Sequence, residues 1–460
     1  MRPYRFSTDT VARLLEQHFG RSADLALVPI RIGSGQGMLC YLKTMTNAGF
    51  LTENVTKPLL QAHRQGNFPP DGLGLDALRE FLFGGLVTLL LGDPQSLSAL
   101  LSQGYAGLLL DGEPNMLIID VKELEKRPIG EPTTQNVIKG PKEAFTESAD
   151  TNMSLIRRRI INERLRFEKF VVGSQTKTPV YLTFMEGEAD ERVLRDIRDF
   201  LQDNSMVSLF DSGSLEQLFR SKRTLLFPAV YHSERPDSIC SCLLDKRVGL
   251  IVNGSPFVLI VPALFADFFK SPEDEYQWSV IGSLIRSLRY LAFMLSLSLS
   301  ALYVAVTCYH QELIPTLLLT SIAAQRTGIP FPAVVEMFLM EITFELLREA
   351  GTRMPRLVGQ SISIAGALVL GEAAVQAGIV SNITVIVVAL TAIAGFVSPV
   401  YSFGANIRLF RYVLIILGSL FGLFGVIVGI AFLAVQLTQI ETFGIPYFSP
   451  MSRLGRRRSS

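Results

Sequence analysis

The chain changes solvent partway along its length. Its last lysine is Lys270 and its last aspartate is Asp274, and beyond Arg286 long apolar stretches follow at 290–308, 313–324, 357–379, 383–401 and 412–435. A helix needs about 20 apolar residues to cross roughly 30 Å of hydrocarbon, and all but the second stretch reach or approach that length. Whole-chain averages conceal the break, because a net charge of +1 and 48% hydrophobic content are only mildly unusual. An all-α multi-span membrane domain is therefore expected over 281–445, with roughly four or five spans. The second stretch runs straight into Gln325, Arg326 and the Pro330/Pro332 pair, so it is either a tilted short span or a re-entrant segment.

Residues 1–280 alternate charge and apolarity and contain no window long enough to span. Their pattern is α/β. Strand-like runs at 25–32, 38–42, 86–91, 107–110 and 116–121, with helical patterns at 53–62 and 96–103, make a first subdomain over 1–127. A proline-bearing linker, 128–141, cannot continue either element. A second α/β subdomain, 142–280, has a helix at 152–163, strands at 167–172 and 180–185, and an amphipathic helix at 189–203. Its RVGLIV and SPFVLIV runs flank Asn253-Gly254, a pair suited to a type I′ turn.

The opening MRPYRFSTDTVARLLEQHFG has no apolar signal region, so the soluble part is expected to stay in the cytoplasm. Arg286 and Arg289 before the first span agree. Four cysteines without framework spacing fit a reducing compartment. The same positive-inside rule puts Arg348, Arg353, Arg356, Arg408 and Arg411 inside and the turn around Asn382 outside. Five full spans would leave the basic tail (446–460) with Arg453, Arg456, Arg457 and Arg458 outside. Either the tail is an exception, or a segment within 313–349 enters and leaves on one side.

Enzymatic chemistry finds little support. GSGQG at 33–37 lacks the Lys-Ser/Thr of a phosphate loop and reads as a turn. His18, His63, His232 and His310 are scattered, and Cys240-Ser-Cys242 is not a zinc knuckle. No metal, cofactor or catalytic residue is expected. Arg157, Arg158 and Arg159 read as a solvated or headgroup-facing side of a helix rather than a nucleic-acid contact.

The segment 331–349 carries charge inside the apolar half, where charge is costly and is paired, interfacial or water-facing. At 100° per residue, Val334, Met337, Phe338, Glu341, Glu345 and Arg348 share one stripe, with Glu336 nearly opposite. Three arrangements fit: an interfacial helix with Glu345/Arg348 paired, a water-facing stripe of a conduit in which carboxylates repeat around an oligomer axis, or salt bridges between helices. Gly359, Ser363, Ala367 and Gly371 recur at every fourth residue, and Gly418/Gly422 and Gly425/Gly429 repeat the device. Such ridges allow close helix packing within a subunit or between subunits. Ser398-Pro399 is expected to kink or end its span, and Glu372, with Gln376 one turn on, is a second buried-polar candidate near the outer end that could equally reach the headgroups.

Four segments carry a resemblance: KGPKEAFTESADTNMSLIRRRI (139–160), the long run from Ala301 to Val380, VIVVALTAIAGFVSP and FGIPYFSP. They resemble the A subunit of the GerA family of bacterial spore germination receptors, over nearly the whole chain from about Leu25. The departures are mild: Lys142 and Ala144 stand where the family usually shows GPREGF. The resemblance implies an integral protein of the inner spore membrane with a two-part cytoplasmic region. It further implies work with a transporter-like B subunit and a lipoprotein C subunit, and homo-oligomerisation through the membrane domain into a nutrient-gated ion channel. The B subunit is then the nutrient binder. Alternatives are a pore-less signalling scaffold, a solute carrier, which commonly shows an inverted repeat not visible here, or an accessory A-like paralogue.

Overall fold

Strands that are apolar at every position need a sheet covered on both faces. The computed structural model describes residues 7–449 apart from 21, 33–34, 66–77, 79–87, 92, 122–129, 136, 138, 204–206, 222–226, 229, 354–369 and 398, and it contains two such sheets. The first unit runs α1 (Thr8–Phe19), β1 (Leu25–Ile32), β2 (Gly35–Leu42), α2 (Ala48–Leu51, then a π turn at Thr52–Thr56 and Lys57–Gln65), β3 (Thr88–Leu91), α3 (Pro94–Ser102), β4 (Tyr105–Leu110) and β5 (Met116–Asp120). Side chains alternate between the two faces of its strands. Leu108, Leu110, Leu117 and Ile119 meet Leu51, Val55 and Leu59 of α2. Leu109, Met116 and Ile118 meet Val11, Leu15 and Phe19 of α1 and Leu97 and Leu101 of α3.

The second unit repeats this plan. It runs α4 (Ala149–Arg159), β6 (Leu165–Val172), β7 (Thr178–Met185), α5 (Glu191–Gln202), α6 (Ser212–Ser221), β8 (Tyr231–Ser233), α7 (Pro236–Leu244), β9 (Val248–Val252) and β10 (Val258–Val261). The strand orders are β1-β2-β4-β5-β3 and β6-β7-β9-β10-β8, the same permutation, antiparallel throughout. Layering repeats as well: α5 and α6 cover one face and α4 and α7 the other, as α2 and the α1/α3 pair do in the first unit. The region is a tandem structural duplication.

Two sequence expectations are corrected here. Arg157 is not a solvated or headgroup-facing residue. Its side chain is fully buried, with Nε and Nη2 each 3.1 Å from Asp24, whose carboxylate also accepts from Ser22 Oγ at 2.6 Å and Thr44 Oγ1 at 3.0 Å. A buried guanidinium needs such a partner, and here the pair joins the two units. Asn253-Gly254 makes no two-residue turn, because Val258 pairs with Ile251 and residues 253–257 form the loop. Only Gly254 of the pair has positive φ, and Asn253 Oδ1 instead accepts from Ala149 N at 3.2 Å at the start of α4.

The linker is bound to the second unit rather than free. Glu234 accepts from Thr134 N at 2.5 Å, Thr134 Oγ1 at 2.7 Å and Gln135 N at 3.0 Å, and Arg235 donates to the Pro141 carbonyl at 2.9 Å.

The apolar half comprises α8 (Ser279–Tyr309), α9 (Thr316–Arg326), α10 (Ala333–Arg353), α11 (Asn382–Phe396) and α12 (Tyr401–Gln439), with residues 370–376 also helical. By length and composition, Val280–Tyr309 and Phe403–Gln439 can each cross a membrane. The second of these is not one rod. Gly422 sits at φ 65°, ψ −146°, and the helix folds back there. A side chain on Gly429 would strike Leu414, and one on Gly425 would strike the Leu417 carbonyl, contacts impossible along a straight helix. Phe265 touches both Phe403, at 5.8 Å, and Tyr447, at 6.0 Å. Straight, residues 401–439 would hold their ends roughly 57 Å apart. The 412–435 stretch, expected as one span, is thus the core of a helical hairpin that returns the chain to the side of the soluble units.

Candidate functional site

The acidic helix α10 starts behind Pro332, whose carbonyl accepts from Val335 N at 2.9 Å and Glu336 N at 3.1 Å. It runs alongside α11 in the same direction: Glu336 lies by Ser381 and Thr384, whereas Arg348 lies by Phe396. Its exposed face carries Val335, Leu339, Ile342 and Leu346, with Glu349 in the last turns. The polar stripe faces inward.

Along that stripe Met337 is fully buried and Val334 packs partly buried against the core. Phe338 stacks on Tyr412 at 6.2 Å. Glu341, 2% exposed, accepts from Ser300 Oγ of α8 at 2.7 Å and pairs with Arg411 of α12 at 3.3 Å. One turn on, Glu345 lies 3.1 Å from Arg408 Nε and 3.6 Å from Arg348 Nη1. The Arg348 guanidinium also covers the Phe396 ring at 4.8 Å. Of the three arrangements that the sequence allowed, the observed contacts are salt bridges between helices, with the i,i+3 Glu345/Arg348 pair among them.

Glu336, set apart by the helical wheel, is equally buried on the other side of α10. It accepts from Ser381 N at 2.9 Å and Thr384 Oγ1 at 3.2 Å and pairs with Arg326 of α9 at 3.4 Å. Three carboxylates thus rise along one helix over about 13 Å, each tied to an arginine from another element. Removing one partner of the Glu341/Arg411 pair, buried on both sides, costs about 3–5 kcal/mol, because the other charge stays buried.

The hydroxyls of Ser300, Thr384 and Thr391 that complete this row escaped the sequence reading, since apolar runs hide single hydroxyls. Arg408 and Arg411 were legible only as topology markers. Among the packing residues, Gly418 lets the Ala301 carbonyl of α8 approach within 3.0 Å of where a Cβ would stand. Gly425 and Gly429 close the hairpin on residues 414–417, and Gly422 forms its bend. Gly371 faces Val385 of α11. Gly359, Ser363 and Ala367 lie outside the described residues. Glu372 accepts from Gln376 at 3.1 Å on an exposed surface. Among the described residues, no three histidine, cysteine or acidic side chains gather as a metal site would require.

Fold and site together define a two-part chain, a duplicated α/β body on a membrane-capable helical domain cross-tied by buried ion pairs. It belongs to the GerA family: the family model for the Bacillus/Clostridium GerA spore germination protein matches residues 13–458. Spore germination protein KA of Bacillus subtilis is 42% identical over 98% of this chain and 83% of its own length. The uncharacterized membrane protein YfkQ of the same organism is 41% identical over 78% of this chain and 70% of its own. Spore germination protein A1 is 39% identical over 75% and 72%. The crystal structure of the N-terminal domain of the A subunit of the Bacillus megaterium spore germinant receptor GerK3 is also similar. It is 27% identical, with a TM-score of 0.42, over 55% of this chain and 94% of that one.

Proposed function

We propose that this chain is the A-type subunit of a nutrient germinant receptor, not an enzyme, and that copies of it assemble around an axis to pass cations when a germinant is sensed. In this reading it sits in the inner spore membrane with the α/β units in the cytoplasm, beside a transporter-like B subunit that binds the nutrient and a lipoprotein C subunit. It contacts membrane lipids and no nucleic acid. The observation that carries the proposal is the row of Glu336, Glu341 and Glu345 along α10, the first two buried and Glu345 half-buried. Carboxylates retained among apolar helices mark ion pathways. With every carboxylate held by an arginine, the row is shut, and conduction requires those ties to exchange for water and cations. A pore-less scaffold is the second reading, favoured by the completeness of the pairing within one chain.

Flux measurements in liposomes carrying the assembled receptor separate the two. Glu345→Gln and the charge-neutral double variant Glu341→Gln/Arg411→Gln should alter cation conductance or its Na+/K+ preference. Wild-type conductance and preference in both would sink the pore, and an absence of flux with all subunits present would leave the scaffold standing.

A further inference from the structure

Where α8, α10, α11 and α12 approach the soluble units, four guanidiniums, those of Arg289, Arg348, Arg408 and Arg411, wall a cavity of about 10 Å³. No acid is among the described residues lining it. Arg289 pairs with Asp274 at 2.6 Å, Arg348 and Arg408 share Glu345, and Arg411 pairs with Glu341, but none of these carboxylates reaches the cavity wall. Arg411 is 2% exposed, and its Nε has no hydrogen-bond partner among the described residues. Two glycines keep the space open. A Cβ on Gly395 would stand 4.0 Å from Arg348 Nη2, and one on Gly404 3.9 Å from Arg408 Nη1.

Four guanidiniums from three helices, α8, α10 and α12, meet at a wall that carries no carboxylate among the described residues, and a buried N–H without a partner adds its own desolvation cost. A water molecule could accept from one N–H but would bring no negative charge to that wall. The space holds about one water-sized particle, which excludes a phosphate group or a carboxylate but admits a single-atom anion. The geometry points to a halide site, chloride under ordinary conditions, at the centre of this arginine cluster. The bound ion sets a negative charge against that wall and ties the inner ends of α8, α10 and α12 into one body. The cavity shares Arg348, Arg408 and Arg411 with the Glu341–Glu345 row, but a halide there is read by thermal stability rather than by flux, so the test distinguishes its failure from that of the conduction proposal.

The test uses the full chain in nanodiscs of zwitterionic lipid, unfolded thermally at constant ionic strength in sodium gluconate, chloride or bromide. Tm should rise with the logarithm of halide concentration and stay flat in gluconate, as ligand binding to the native state requires. Gly395→Ala and Gly404→Ala add a methyl at ordinary contact distance, fill the cavity and should abolish the halide shift. Independently of any variant, crystals grown in bromide should show an anomalous peak between the four guanidiniums. Equal Tm in halide and gluconate would overturn the proposal, as would a halide shift undiminished in both glycine variants. A rise produced by inorganic phosphate or by anionic-lipid nanodiscs, and not by halide, would replace the halide with an oxyanion and overturn it equally.

Discussion

At the scale of single residues, polar side chains in this protein work as ties between segments distant in sequence. Asp24 and Arg157 hold the duplicated units together, Glu341 and Arg411 join α10 to α12, and Glu234 holds the linker. Glu234 yields a pH prediction. Burial raises its pKa, but the hydrogen bonds from Thr134, Thr133 and Gln135 together outweigh burial, and the carboxyl lies below its ordinary 4.5. A depressed folded-state pKa contributes stability that is complete above the unfolded value and is lost as pH falls through the folded one. The linker should therefore resist limited proteolysis from neutral pH down to about 4.5 and become cleavable below it. Glu234→Gln should be cleavable at every pH. Cleavage of the wild type that does not vary with pH would remove Glu234 as the clasp. None of these ties was legible in advance, because a lone Asp24 or Glu234 in sequence carries no sign of a partner 100 or more residues away.

At the scale of elements, much was legible. The runs at 25–32 and 116–121 fold as β1 and β5, and the amphipathic pattern at 189–203 folds as α5, since periodicity reports which side chains must be buried. Turns and bends fared worse. Asn253-Gly254 carries the composition of a two-residue turn, yet contact with α4 draws the loop out to five residues, 253–257. Gly422 looked like a packing glycine among others, and its φ of 65° makes it the bend of α12. Gly422→Ala adds a Cβ 2.8 Å from His310 and 3.0 Å from Tyr309 and forces alanine into a positive-φ region that is essentially glycine's own, a strain of about 1–3 kcal/mol before any clash. It should lower Tm in nanodiscs by several degrees. Gly371→Ala, whose Cβ meets Val385 at 3.7 Å, should change Tm little. Equal behaviour of the two variants would remove the hairpin bend as a point of strain.

At the scale of the whole molecule, the hairpin sets topology. Phe443 packs at 5.4 Å on Phe219 of the second α/β unit and Tyr447 donates to the Pro228 carbonyl at 3.0 Å, so the C-terminal segment lies on the side of the soluble units. A reversal lies at Gly422 within the last apolar stretch. Single cysteines at Ser7 and Ser449, on a background without the native ones, should be labelled by an impermeant maleimide from the same face of a sealed vesicle. Labelling from opposite faces would contradict the hairpin.

The sequence by itself determined the division at about residue 280, the secondary structure of the soluble units and the burden of charge on α10, because each follows from local burial periodicity or from the cost of placing a charge in an apolar run. Only the tertiary structure decided that the α/β units are copies of one topology, that α12 doubles back, and which arginine answers each carboxylate. Strand order, chain reversal and ion-pair choice depend on contacts between residues far apart in the chain, and composition and spacing carry no record of those contacts.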